Sequence, residues 1–190
     1  MRKTLAVISV LAMVLVGFMA MTSPVGAKSH GEVDWFWNSG VSACGGFEND
    51  AVPVGMFVGW IYTISIENTF TEDMTDVVVK DKFTRELMVC QGCPGIPDPS
   101  TSQGSMELTT KGKTEKVFLE WDVGTIPAGE SAMLMLVIGT DMNPKGHQEF
   151  TSTGPYELNN GAILRYDMGG FKWRETTDPI PITVVEMPPP

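Results

Sequence analysis

The clearest pattern of apolar and polar positions lies in residues 119–140. Trp121 and Val123 alternate with charged residues, a Pro/Gly turn follows at 127–129, and a second apolar row begins at Ala132. Period-two alternation on both sides of a turn is typical of two antiparallel strands with one buried face. The chain is therefore predicted to contain an antiparallel β-sheet.

The same pattern recurs along the rest of the chain. Trp60, Tyr62, Ile64 and Ile66 form one apolar row, and shorter rows follow at 77–83, 162–168 and 180–185. About seven to nine strands separated by turns are expected of a β-sandwich. We therefore predict an all-β, immunoglobulin-like antiparallel sandwich over residues 52–187.

Two segments lack the alternation. Residues 28–51 are rich in aromatic residues and glycine, and we expect them to form an irregular N-terminal arm. Residues 90–113 contain two cysteines and several prolines, and we expect a loop that is longer than most connections in compact domains.

Residues 1–27 have the features of a signal peptide that precedes the sandwich. Arg2 and Lys3 come before an uncharged apolar run, and small residues lead up to Ala27, where we expect cleavage. The competing interpretation is an uncleaved anchor, because the run approaches the roughly 17 residues that a membrane span requires. No second span is apparent, so the mature chain is predicted to be secreted, extracellular or held in the cell envelope.

The charge balance narrows the classes of partner. The chain has 23 acidic and 13 basic residues, and both charges of the leader are basic, so the mature chain is more acidic still. This surplus disfavours nucleic acid and anionic membrane surfaces as partners. It permits calcium at the surface, although no EF-hand loop is present.

Two segments resemble a known module. They are Tyr62-Thr-Ile-Ser-Ile-Glu-Asn68, and Trp121-Asp-Val-Gly-Thr-Ile-Pro-Ala-Gly-Glu-Ser131 with the apolar strand after it. Together they resemble the immunoglobulin-like conserved repeat domain of bacterial and archaeal surface proteins, catalogued as domain of unknown function eleven. The resemblance covers roughly residues 52–186 and implies an Ig-like sandwich acting as a spacer or adhesive module, without catalytic residues.

Three cysteines leave several pairings open. In an oxidising compartment Cys44 could pair with Cys90 or Cys93, or the latter two with each other, which leaves one thiol over. A redox role for the Cys90-x-x-Cys93 motif is disfavoured, because such motifs normally open a helix and here Pro and Gly follow. A zinc site of these cysteines and His147 is a further candidate.

His30 is the second candidate metal ligand. Cleavage after Ala27 would leave Lys28-Ser29-His30 at the N-terminus. A free amine, two deprotonated amides and an imidazole form a square-planar set that suits copper(II) or nickel(II). The alternative is a terminus with an incidental histidine.

Hydrolytic catalysis has little support. The sequence contains two histidines and no Gly-x-Ser-x-Gly motif. The carboxylate pairs Glu72/Asp73 and Glu120/Asp122 could serve a glycosidase, but the alternation places Glu120 and Asp122 on a solvated strand face. We predict no catalytic residues and no required cofactor.

The aromatic run Trp35-Phe36-Trp37 is the candidate interaction site. Alternate residues of an extended segment face the same way, so Trp35 and Trp37 would project together. They either cover one end of the sandwich or belong to an arm that adds as a strand to a neighbouring subunit.

These features favour a secreted, non-enzymatic module with a structural or adhesive role at the cell surface. Its partners would be other proteins or copies of itself, with self-assembly by strand addition as the hypothesis. The alternative is an extracellular or periplasmic protein that binds zinc or copper through its cysteines and histidines.

Thiol titration of the non-reduced mature chain separates these two functions. We expect one disulfide, one free thiol and no bound metal, because an oxidising compartment favours disulfides. Metal analysis of the same sample provides the second readout, and three reduced thiols with stoichiometric zinc or copper would contradict the structural interpretation.

Overall fold

The computed structural model describes residues 34–42, 51–54, 59–84, 87–89, 97–111, 116–140 and 150–186. The strands of these residues are, in chain order, β1 (Phe36–Ser42), β2 (Ala51–Pro53), β3 (Gly59–Glu67), β4 (Met74–Lys82), β5 (Met88–Val89), β6 (Ser100–Thr101), β7 (Ser105–Lys111), β8 (Lys116–Ile126), β9 (Ser131–Gly139), β10 (Gly154–Glu157), β11 (Ile163–Met168), β12 (Phe171–Thr176) and β13 (Pro181–Val185).

The strands form two large sheets and one small one. The first large sheet has the order β1-β3-β9-β5, with β6 also paired to β9. The second has the order β12-β11-β4-β8-β7, and the small sheet has the order β10-β13-β2. All pairs within the two large sheets are antiparallel.

The core lies between the two large sheets. The predicted apolar rows of β3, β8 and β9 are all buried, and together with inward residues of β4 and β11 they form one cluster. Apolar faces that meet in this way remove their side chains from water, which is the main favourable term in folding. The predicted all-β sandwich of antiparallel sheets is confirmed.

One pair of strands departs from the antiparallel expectation. β13 pairs in parallel with β2, through Thr183–Ala51, Val184–Val52 and Val185–Pro53. Parallel neighbours need a long connection, and β2 and β13 lie at opposite ends of the sandwich sequence. A local pattern of residues cannot reveal such a pairing.

Part of the segment expected to be an irregular arm is a strand. All seven residues of β1 pair with β3, from Phe36 opposite Ile66 to Ser42 opposite Trp60. Asn38, Ser39 and Gly40 have low strand propensity, so the sequence shows no alternation there. Pairing with a strongly apolar neighbour overrides that propensity.

The expected long loop at 90–113 also contains strands. β6 pairs with β9, and β7 pairs with β8 over seven residues. Between them, the Gln103 side chain donates to the carbonyl oxygens of Val123 and Thr125, and Trp121 Nε1 donates to the Gln103 carbonyl. These bonds hold the turn against β8.

Gly104 provides a test of that attachment. It has φ 76°, and a Cβ there would lie 2.0 Å from the Asp122 carbonyl oxygen. We expect Gly104→Ala to lower the free energy of unfolding by more than about 2 kcal/mol, because it adds a clash to the cost of a left-handed backbone.

The matched control is Gly129→Ala, which has φ 79° but open space around the added Cβ. It should cost only about 1 kcal/mol. Urea unfolding followed by tryptophan fluorescence measures both, and equal losses would contradict the close packing of this turn.

Candidate interaction surface

The aromatic run at the start of β1 packs on its own sandwich. Phe36 is buried in the core. Trp35 contacts Phe70 and Tyr166 edge-to-face, with ring centroids 5.4 Å and 5.8 Å apart. Trp37 is 36% exposed. Trp35 lies in a turn before the strand, and Trp37 belongs to the strand.

The β11–β12 hairpin carries the most exposed aromatic side chains among the described residues. Phe171 is 70% exposed and Trp173 is 45% exposed. Trp173 lies opposite Tyr166, and Phe171 lies opposite Met168. Residues directly opposite each other in a sheet share a face, so Phe171 and Trp173 are on the face that β11 turns toward the core.

The alignment of the two large sheets explains this exposure. Tyr62 of β3 bonds Asp81 of β4, and Trp35 before β1 contacts Tyr166 of β11. Hence β3 lies over β4 and β1 lies over β11. β12 is one strand further out, and no strand of the described residues continues the first sheet beyond β1. We call the free edge of β1 together with Phe171 and Trp173 the β1–β12 step.

The Trp173 side chain of the step is held in place. The Trp173 ring stacks on Tyr166 at a centroid distance of 6.5 Å, and its Nε1 donates to the Met168 carbonyl oxygen at 3.3 Å. Gly169 and Gly170 form the two-residue turn with φ 61° and 79°. Positive φ at both positions matches the twist of a tight hairpin and favours glycine.

The loop between β3 and β4 lies beside the hairpin and is fixed by Asn68. The buried Asn68 side chain donates to the carbonyl oxygens of Glu72 and Ile126, at 2.9 Å and 2.8 Å. Its Oδ1 accepts a bond from the Phe70 backbone N–H at 3.1 Å. One side chain thereby sets the course of the loop that carries Phe70 and Glu72.

A pocket opens between this loop and the hairpin. Its volume is about 350 Å³, and its lining residues are Phe70, Thr71, Glu72, Met168, Gly169, Phe171 and Trp173. Glu72 is the one charged residue among the lining residues that the structure describes. The basic residues Arg165, Lys172 and Arg174 belong to the opposite face of the hairpin, as their register shows. The described lining therefore combines three aromatic rings and a thioether with polar atoms, among them one carboxylate.

A buried polar network lies between the sheets, away from the pocket. Tyr62 Oη donates to Asp81 Oδ2, and Asn159 Nδ2 donates to the same oxygen at 2.8 Å. The Lys82 backbone N–H donates to Asp81 Oδ1 at 2.6 Å. Asp81 is 5% exposed, and Tyr62 and Asn159 are fully buried, so a substrate cannot reach the carboxylate.

Burial dominates the titration of this network. It raises the pKa of the Asp81 carboxyl, against the opposing effect of the bonds from Tyr62, Asn159 and Lys82. Burial also raises the pKa of Tyr62 well above its ordinary value, and the Asp81 charge adds to that effect. Tyr62 is therefore a neutral donor at physiological pH.

The role of Asp81 was missed from sequence, although a signal was present. Val77 and Val79 face the core, and continuing the period-two row places Asp81 on the same face before Phe83. An acidic residue in a buried row needs donors. Nothing local in the sequence identifies Tyr62 and Asn159 as those donors.

The predicted metal and disulfide residues cannot be placed. Cys44, Cys90, Cys93, His30 and His147 all lie outside the described residues. Within the described ranges, no group of three or more His, Cys, Asp or Glu residues is arranged to hold a metal ion.

The carboxylate pairs considered for catalysis have other surroundings. Glu120 forms an exposed ion pair with Lys80 at 2.8 Å, and Asp122 is also exposed. Asp73 accepts a bond from the Ala128 backbone N–H at 2.9 Å, while Glu72 lines the pocket. The predicted solvated positions of Glu120 and Asp122 are confirmed.

In the part of the chain that the structure describes, no helix has the length and apolar character needed to cross a membrane.

Comparison with known proteins adds distant structural likenesses. No protein-family model and no curated protein matches the chain. A GH20 exo-β-N-acetylglucosaminidase from Vibrio harveyi matches 69% of this chain at 15% identity, with a TM-score of 0.35. The major pilin subunit BcpA of Bacillus cereus matches 80% at 13% identity, with a TM-score of 0.42.

The major pilin SpaD from Corynebacterium diphtheriae matches 77% of this chain at 10% identity, with a TM-score of 0.47. The chain spans 17%, 40% and 34% of the lengths of these three structures, respectively. At these identities and TM-scores, the likenesses assign no activity or partner to the chain.

The Asp81 carboxyl predicts a specific dependence of stability on pH. Its pKa in the folded state lies above the ordinary value of 3.8, so the folded chain binds this proton more tightly than the unfolded chain. The stabilisation of the folded state that comes from this proton is fully present below pH 3.8 and is lost as the pH rises through the raised pKa. We expect the free energy of unfolding of the wild type, minus that of Asp81→Asn, to fall as pH rises from acid toward neutral.

Urea unfolding between about pH 3 and pH 7 measures this difference. Asp81→Asn also turns an amide donor toward a neighbouring donor, so the variant is expected to be less stable than the wild type at every pH. The slope of the stability difference against pH is therefore the diagnostic quantity. Asp122→Asn is the matched control at an exposed site of the same sheet. A difference that stays constant with pH would contradict the buried-carboxyl account.

Proposed function

We propose that this chain is a non-enzymatic module with a structural or adhesive role at the cell surface. It binds a protein partner, or further copies of itself, at the β1–β12 step. The observation that carries the proposal is the exposure of Phe171 and Trp173, at 70% and 45%, on the core-facing side of their sheet. Large exposed apolar side chains that cluster in one place mark interaction sites.

The geometry of the step favours strand addition as the binding mode. β1 pairs with β3 along one edge, and the other edge has no partner strand among the described residues. An extended segment that paired with this free edge would lie over Phe171 and Trp173. Backbone hydrogen bonds would supply affinity, and side chains that enter the aromatic surface would supply specificity.

The width of the step favours a single strand over a second sandwich edge. If two copies met through their β1 edges, β1 of the second copy would lie over β12 of the first. In the second copy, β11 lies beneath β1. It would therefore have to occupy the space that β12 of the first copy already fills. The chain therefore acts as the acceptor of an extended segment, whereas its own Phe36 is committed to its core.

Several sequence features support a location at the cell surface. The leader at 1–27 directs export, and the acidic surplus suits solubility outside the cell. The resemblance of residues 62–68 and 121–131 to the Ig-like conserved repeat domain points to the same class of protein. These supports rest on the sequence and are independent of the step.

Removal of the aromatic side chains of the step tests the proposal. Purified residues 28–190 are expected to form oligomers, or to be retained on washed cells of the source organism. The double variant Phe171→Ser/Trp173→Ser should lower the association constant or the retained amount at least about tenfold, since aromatic anchors dominate interface energies. Sedimentation velocity and a fluorescence cell-binding assay measure the two effects.

The matched control is Met133→Ser, because Met133 is 47% exposed on β9 of the other large sheet. It should leave both readouts unchanged. Equal behaviour of the double variant and the wild type, with the fold intact by circular dichroism, would contradict the proposal.

A further inference from the structure

The pocket beside the step has a lining that suits one class of chemical group. Phe70, Phe171 and Trp173 contribute aromatic rings, and Met168 contributes a polarisable thioether. The face of an aromatic ring carries negative potential and attracts cations, with tryptophan the strongest of the three. The aromatic rings would contact both the apolar chain and the charged head of an organic cation.

Glu72 gives the pocket a complementary charge. Its Oε2 lies close to the hairpin turn, since a Cβ added at Gly169 would be 3.2 Å from that oxygen. The carboxylate therefore closes the pocket on the side where the loop meets the hairpin. Because it is the one charged residue among the described residues of the lining, this part of the pocket offers an anionic site without a basic group beside it.

Two aromatic walls of the pocket, Phe70 and Trp173, are braced by neighbouring residues. Asn68 holds the loop through three side-chain hydrogen bonds, two donated and one accepted. Phe70 is braced by Trp35, and Trp173 is braced by Tyr166 and by its bond to the Met168 carbonyl. A preorganised wall reduces the ordering cost of binding.

We propose that this pocket binds the positively charged side chain, arginine or lysine, of the segment that docks at the β1–β12 step. The alkyl part of that side chain packs on Phe171 and Met168, its charged head lies against the Trp173 ring, and Glu72 neutralises the charge. The proposal rests on the proposed function for the source of the cation, and it names the chemistry that anchors the partner. Charge complementarity between Glu72 and the cation selects this occupant over an apolar side chain.

Small probes test the pocket without any knowledge of the partner. n-Butylguanidinium chloride represents the arginine side chain, n-butylammonium represents lysine, and n-butylurea is a neutral molecule of similar shape. Titration of residues 28–190, followed by the Trp173 indole N–H signal in ¹H–¹⁵N NMR spectra, should saturate for the two cations. The cations should bind at least about fivefold more tightly than n-butylurea.

Variants assign the selectivity to named groups. Glu72→Gln should weaken cation binding about three- to tenfold and leave n-butylurea unchanged, because it removes the charge and keeps the shape. Trp173→Leu, followed through the Gly169 and Gly170 amide signals, should remove the preference for cations. Glu107→Gln on β7 is the control for loss of an exposed carboxylate outside the pocket.

Three results would overturn the inference. They are equal binding of n-butylurea and the cations, equal binding by wild type and Glu72→Gln, and shifts spread over the acidic surface without saturation. The probes need no added strand, so saturable cation binding can persist even if Phe171→Ser/Trp173→Ser leaves assembly and cell binding unchanged. Failure of this inference and failure of the proposed function are thus distinguishable.

Discussion

The buried hydrogen bond from Tyr62 to Asp81 joins the two large sheets across the core and favours one alignment of them. Asp81 accepts from Tyr62, Asn159 and the Lys82 backbone, and its carboxylate has no contact with bulk water to replace them. Tyr62 is the partner that comes from the opposite sheet, and a hydrogen bond to a charged group contributes about 1.5–3 kcal/mol. Sliding one sheet over the other would break that bond, which favours the position of β3 over β4.

The exposed features follow from this alignment. With β3 over β4, β1 covers β11 and is the last strand of the first sheet among the described residues, whereas the second sheet continues by one strand into β12. Phe171 and Trp173 therefore point toward the core side without a strand above them. The pairing of β4 with β11, with Thr75 opposite Asp167, brings the loop between β3 and β4 beside the hairpin and forms the pocket. The exposed aromatic residues thus follow from the alignment of the sheets, and the pocket follows from pairing within one sheet.

Some of the surface was within reach of sequence reasoning. The row Ala162, Leu164, Tyr166 and Met168 identifies β11, and Gly169-Gly170 is a strong hairpin signal before Phe171. The alternation Phe171, Lys172, Trp173, Arg174 then predicts a strand with one apolar face. Sequence alone would have assigned that face to the core, because it does not tell how far the opposite sheet extends.

The sequence by itself determined the class of fold and the inward face of most strands. Period-two alternation is local, and burial of apolar faces makes it sufficient for β3, β8 and β9. The tertiary structure alone decided that Phe36–Ser42 is a strand, that β2 and β13 are parallel, and that Glu72 joins three aromatic residues. These outcomes depend on contacts between residues far apart in the chain, and such contacts leave no period in the sequence.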